Sequence, residues 1–183
     1  MAGGFYDPGP LRHVAINLFY GWGYDFYRRE NQLRADDQLV RSRAGSLIAL
    51  ARDTVAAAEA DWRRDKLPAP SRAHPFPDPA AVAGAQALER LAAGIGLLVG
   101  RLQAQPTPEN DRMTQRFRLE GPTLQALIAC DEQLVGQADL LRSMLDGREA
   151  AWMLEHRPEI KEGVRAIGAT LQQRQAVLVA PAM

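Results

Sequence analysis

Asp131 lies on the same helical line as Leu124, Leu127, Leu134, Val135 and Ala138, a line that periodicity would bury. A buried carboxylate needs a counter-charge, a metal ion or a raised pKa. Glu30 and Asp37 share a helix face upstream, flanked by Arg29 and Asp36. Two chemistries follow. In one, Glu30, Asp37 and Asp131 converge inside a helical bundle on a metal ion or a cationic ligand. In the other, an arginine such as Arg29 meets Asp131 and closes an ion-pair layer that fixes register and performs no reaction. The second is favoured: carboxylate-bridged metal bundles use Glu-x-x-His on paired helices, and the chain holds no such motif. No metal and no cofactor are expected.

The other reactive side chains assemble into no known motif. His13, His74 and His156 are never four residues apart, so no two of them share a helix face at zinc-binding spacing. His13 falls in a first helical turn, His74 in a proline-rich stretch and His156 beside Arg157-Pro158, where capping or exposure is the default. Cys130 is the single cysteine, so no intramolecular disulfide forms. On the flank of the Asp131 line it reads as a small buried hydrophobe. There is no Gly-x-Ser-x-Gly turn, no Walker loop and no glycine-rich dinucleotide loop following a strand. Arg112, Arg116 and Arg118, interleaved with Phe117, form a small basic cluster that Asp111 and Glu120 balance into a solvated face. With 22 basic and 22 acidic residues the chain has no overall attraction for nucleic acid.

The carboxylates must be placed by helices, and the helical signal is strong. From Ala15 to Trp62, the residues Ala15, Phe19, Trp22, Phe26, Leu33, Val40, Ala44, Leu47, Ala51, Val55, Ala58 and Trp62 fall within roughly 40° of one line at about 100° per residue. This predicts one unusually long N-terminal helix, from Pro10 or Leu11 to about Lys66. Such a length implies either a kink or two helices in near register, with the break at Gly21–Gly23 or at the polar stretch Arg29–Asp37. A proline-rich loop follows at 67–79. A second helix spans about Ala80–Gln103, with its core line at Leu88, Leu91, Ile95, Leu98 and Leu102. A third runs from Leu124 to Leu145 and ends at Asp146-Gly147, where glycine suits the position after a helix. A fourth begins at Arg148 with a disturbance at Pro158, or freshly at Pro158, on the line Ile160, Val164, Ile167, Leu171 and Leu178. No segment shows sustained strand-like alternation. The fold expected is an all-α bundle of about four main helices over residues 11–180, preceded by an arm at 1–10 whose Phe5 and Tyr6 are free to dock.

Two surfaces exceed what one bundle needs. In Leu11–Tyr27 a second apolar line, Ile16, Tyr20, Tyr24 and Tyr27, runs beside the first. A helix apolar on two sides is buried on two sides, and tyrosine and tryptophan suit interfaces. Phe19, Tyr20, Trp22, Tyr24 and Tyr27 therefore form the expected interaction surface. Gly94, Gly96 and Gly100 on the second helix each cost about 1 kcal/mol against alanine, which suggests that another helix approaches there. The first ten residues lack a secretory signal. The longest uninterrupted apolar or glycine run, Leu91–Gly100, is shorter than the roughly 18 residues of a membrane span. The expectation is a cytoplasmic, non-enzymatic adaptor, chaperone-like or assembly protein that binds itself, another protein or both. It would span no membrane and bind no nucleic acid. The alternative is a helical-bundle ligand- or metal-binding protein, with or without an enzymatic role, using the carboxylate layer.

Overall fold

The computed structural model describes residues 2–20, 33–72, 75–106 and 121–179. Among them the chain is all-helical. A 3-10 turn at Ala2–Phe5 precedes α1 (Pro8–Tyr20), α2 (Leu33–Lys66), α3 (Pro79–Gln103), α4 (Gly121–Leu145), α5 (Ala150–Glu155) and α6 (Arg157–Val179).

Local chemistry sets the helix ends. Asp7 starts α1: its carboxylate accepts from the Gly9 N–H at 3.1 Å and its carbonyl from the Leu11 N–H. The helix therefore begins at Pro8 rather than Pro10, and proline costs nothing in a first turn whose N–H groups have no partner. Asp78 caps α3 through Ala80 and Ala81, at 3.1 and 3.3 Å, with Pro79 in the first position. α4 ends before Gly147, whose φ of 67° is the left-handed conformation that closes a helix with little strain only in glycine. The last segment, expected to begin at Arg148 or at Pro158, is two helices that begin at Ala150 and Arg157. Ala150–Glu155 is one short helix, His156 breaks it, and α6 starts at Arg157 with Pro158 in its first turn.

The N-terminal helix is shorter than the single long one expected. The stretch read as one long helix is described as two, a 13-residue α1 and a 34-residue α2, and residues 21–32 lie outside the described residues. Apolar periodicity records that a face is buried but not against what. α1 rests on α4, whereas α2 rests on α3 and α4. Two helices with their own partners leave the same stripe as one.

The long helices close around a shared core. α2 packs on α3 and α4, and α6 packs on α4 and α3. α2 and α3 run antiparallel, with Gly45 beside Leu102 and Gln103 at one end and Trp62 against Gly84 at the other. Val40, Ala44, Leu47, Ala51 and Val55 of α2 are buried against Leu88, Leu91, Ile95, Leu98 and Leu102 of α3 and Leu134, Leu141 and Leu145 of α4. By length and composition alone α3 could cross a membrane, since an 18-residue window within it has a mean hydropathy of 1.4. A window average tolerates Glu89 and Arg90, which an uninterrupted apolar run does not. One third of that window is buried, as in a helix that faces a core on one side.

The close approaches fall on glycines other than those expected. Nothing lies within 4 Å of a Cβ built at Gly94 or Gly100, and Gly96 meets only the Arg52 side chain at 3.4 Å. The glycines that admit a neighbour are Gly84, Gly136 and Gly163. A Cβ there would stand 2.8 Å from the Trp62 indole, 2.6 Å from the Leu11 carbonyl oxygen and 2.7 Å from the Phe5 ring, respectively. Helical periodicity measures amphipathicity, and it is silent on which small residue faces a bulky partner.

Candidate functional site

Asp37 and Asp131 do converge, and the group they converge on is Arg174 of α6. All three are wholly excluded from solvent. Arg174 Nε donates to Asp131 Oδ1 at 2.6 Å and Nη2 to Asp37 Oδ1 at 2.5 Å. Nη1 donates to Gln105 Oε1 at 2.7 Å. Gln105 lies just beyond α3, and its own Nε2 donates to the Leu171 carbonyl at 2.7 Å, one turn before Arg174. The guanidinium thus joins α2, α4, α6 and the end of α3 in one plane of contacts. Charge-assisted hydrogen bonds of this kind are short and roughly twice as strong as neutral ones.

A second arginine extends the layer. Arg41, one turn after Asp37, places Nε 2.8 Å from Asp37 Oδ2, an ion pair whose approach is too far off line for a hydrogen bond. Its outer nitrogens donate to main-chain oxygens at the end of α3: Nη1 to Gln105 at 2.8 Å and Nη2 to Pro106 at 2.6 Å, with longer contacts to Leu102 and Gln103. The last carbonyls of a helix have no partner within it and carry the negative end of its dipole. Arg41 meets both needs and ties that end to Asp37.

Two carboxylates and two guanidiniums balance. Burial alone would lower the pKa of Arg174, but the Asp131 carboxylate first and then Asp37 pull the other way, and the result lies above the ordinary arginine value. A guanidinium that never loses its proton is neither a general acid nor a general base. Beside it, burial pushes the Cys130 thiol up to about 11, with the Asp131 charge adding to the effect and Arg174 opposing it. That is the reverse of the lowered pKa that activates a cysteine nucleophile. The arrangement can hold four chain segments in fixed register. A described cleft of about 260 Å³ reaches Gln105 and Leu171 but is not lined by Asp37, Arg41, Asp131 or Arg174.

The other candidate residues fall elsewhere. Arg29, Glu30, Trp22, Tyr24 and Tyr27 lie outside the described residues, as do Arg112, Arg116, Phe117, Arg118 and His74. For Phe19 and Tyr20 only the backbone, in the last turn of α1, is described. His13 is exposed near the Gly9 carbonyl, and His156 stacks on Trp152 with ring centres 4.1 Å apart. Among the described residues no three metal-ligating side chains group together.

Arg174, Arg41, Gln105, Gln137 and Thr170 were not foreseen as buried polar groups. For Arg174 a signal existed. The core line Ile160, Val164, Ile167, Leu171, Leu178 alternates steps of four and three until a gap of seven, and position 174 fills that gap. A charged residue at a core position is the same anomaly that marks Asp131. Gln105 follows the last turn of α3, where periodicity has nothing to say.

Comparison of the chain with protein-family models, with curated proteins and with solved structures gives no significant match.

Proposed function

We propose that this protein works by protein–protein contact, as a non-enzymatic adaptor, chaperone-like or assembly protein built on a bundle of four main helices. It associates with itself through the aromatic surface of Phe19, Tyr20, Trp22, Tyr24 and Tyr27, and it acts in the cytoplasm without spanning a membrane. The observation that carries the reading is the pairing of Asp37 and Asp131 with the chain's own Arg174. The carboxylates best placed to hold a foreign cation are engaged by a resident one, and they act as scaffold. Apolar side chains on the bundle are open to a partner as well: Leu97 on α3 is 64% exposed and Leu50 on α2 is 53% exposed.

Light scattering at micromolar concentration tests the reading. The expected result is a dimer, reduced to a monomer by Tyr20→Ser combined with Tyr24→Ser. A wild-type monomer at about 100 μM, far above the dissociation constant of an ordinary specific complex, would count against it.

A further inference from the structure

The N-terminal arm occupies a slot whose walls are built without it. Phe5 is 2% exposed, its ring lying where the missing Cβ of Gly163 leaves room on α6. The Phe5 carbonyl accepts a hydrogen bond from Gln137 Nε2 of α4 at 2.9 Å. Gln137 is itself held by Thr170 of α6, whose hydroxyl donates to Gln137 Oε1 at 2.9 Å. That bond joins α4 to α6, involves no arm residue, and turns the amide N–H groups toward the arm. At the rim the Tyr6 hydroxyl donates to Glu162 at 2.5 Å. The slot therefore reads three features of a short 3-10 segment: an aromatic ring, the main-chain carbonyl of the same residue, and a hydroxyl one residue on.

We propose that this slot between α4 and α6 is a peptide-recognition site for a segment of Gly-Gly-Phe-Tyr type, with the chain's own arm as its resident and displaceable occupant. Its occupant's chemistry is read from the arm seated in it. The arm is a short 3-10 turn joined to α1 at the Asp7-Pro8 junction, and of Gly4, Phe5, Tyr6 and Asp7 only Phe5 is buried. Segments with few buried apolar side chains open at low free energies in a fold. If the arm leaves, Gln137 loses its acceptor in a buried site, so the emptied slot favours a replacement that restores it. The tethered arm competes at an effective concentration of order millimolar, so it gates the site against free peptides.

The test uses full-length protein and a fluorescent peptide of sequence Ala2–Pro10, followed by anisotropy. Phe5→Ala protein should bind the peptide at least about tenfold more tightly than wild type does, because the tethered competitor is weakened. A peptide carrying the same Phe5→Ala change should not bind, and adding Gly163→Ala to the Phe5→Ala protein should abolish binding. A folded Phe5→Ala protein that ignores the peptide, or binds it without regard to the phenylalanine, overturns the proposal. Wild type binding as tightly as the variant overturns the gate. If circular dichroism shows Phe5→Ala unfolded, Phe5→Leu carries the same comparison. Self-association through the aromatic surface is read by scattering and stands or falls separately.

Discussion

Arg174 and Asp131 stand 43 residues apart in sequence and meet at 2.6 Å in the interior, Nε to Oδ1, with no access to water. Because the same guanidinium also holds Asp37 and Gln105, one side chain fixes how α2, α4 and α6 and the end of α3 sit against one another. Buried ion pairs are weak evidence for added stability, since desolvation offsets much of the attraction. Their better attested role is to penalise wrong registers. Here a slip of α6 by one turn would carry Arg174 away from both carboxylates.

Arg41 uses its planar fork in two directions, toward Asp37 and toward the Gln105 and Pro106 carbonyls. Lysine carries the charge but cannot span both. Arg41→Lys is expected to cost about 1–3 kcal/mol, from lost hydrogen bonds to buried acceptors. A shift of the urea midpoint with unchanged slope would measure it. A variant within about 0.5 kcal/mol of wild type, the range of ordinary surface changes, would remove Arg41 from the account.

The glycines separate by what faces them. Gly136→Ala would drive a methyl into the Leu11 main chain and should destabilise by about 1–3 kcal/mol, as overpacking does. Gly94→Ala and Gly100→Ala enter open space on a helix and should stabilise by up to about 1 kcal/mol each. Thermal melts of the three single variants check the ordering.

Much of the helical scaffold was legible in the sequence, and its failures have physical causes. α3 and the end of α4 fall where their apolar lines, the proline-rich loop at 67–79 and Gly147 place them. The N-terminal stripe did not distinguish one helix from two, because Ala15 on α1 and Val40 on α2 are buried in one core and both helices rest on α4. Asp37 and Asp131 were legible as charges on core lines. Arg174 obeyed the same rule but stood where a long apolar line invites the eye to skip a position. The slot for Phe5 was not legible, because it depends on Gly163 and Gln137 meeting across α4 and α6.

Cys130 is buried and its thiol pKa is pushed up to about 11. The unfolded chain ionises its thiol at the ordinary value near 8.5, so stability contributed by the neutral thiol is present below that value and lost as pH rises toward about 11. At pH 8 the native protein should resist a disulfide reagent, while urea-unfolded protein reacts at least about a hundredfold faster. Rapid labelling of the native protein would contradict the burial.

Glu132 is held above the usual carboxylate range, chiefly by burial, with Asp131 adding to the shift and the Arg12 ion pair at 3.3 Å opposing it. A raised carboxyl pKa means that the native state favours the proton more than the unfolded chain does. Its contribution is therefore present below the ordinary value and lost as pH rises through the shifted one. Glu132→Gln should gain stability relative to wild type as pH goes from 4 to 7. A difference that stays flat across that range would contradict the sign.

The buried layer is tested most directly by a mutant cycle in urea. Arg174→Met removes the guanidinium that Asp37 and Asp131 share and should cost about 3–5 kcal/mol. Combining it with Asp37→Asn and Asp131→Asn should recover a large part of that loss, so that the triple variant is far more stable than the sum of the separate effects. If Arg174→Met is as stable as wild type, or if the effects simply add, the three side chains are not the coupled structural layer described, and the carboxylates are left for another role.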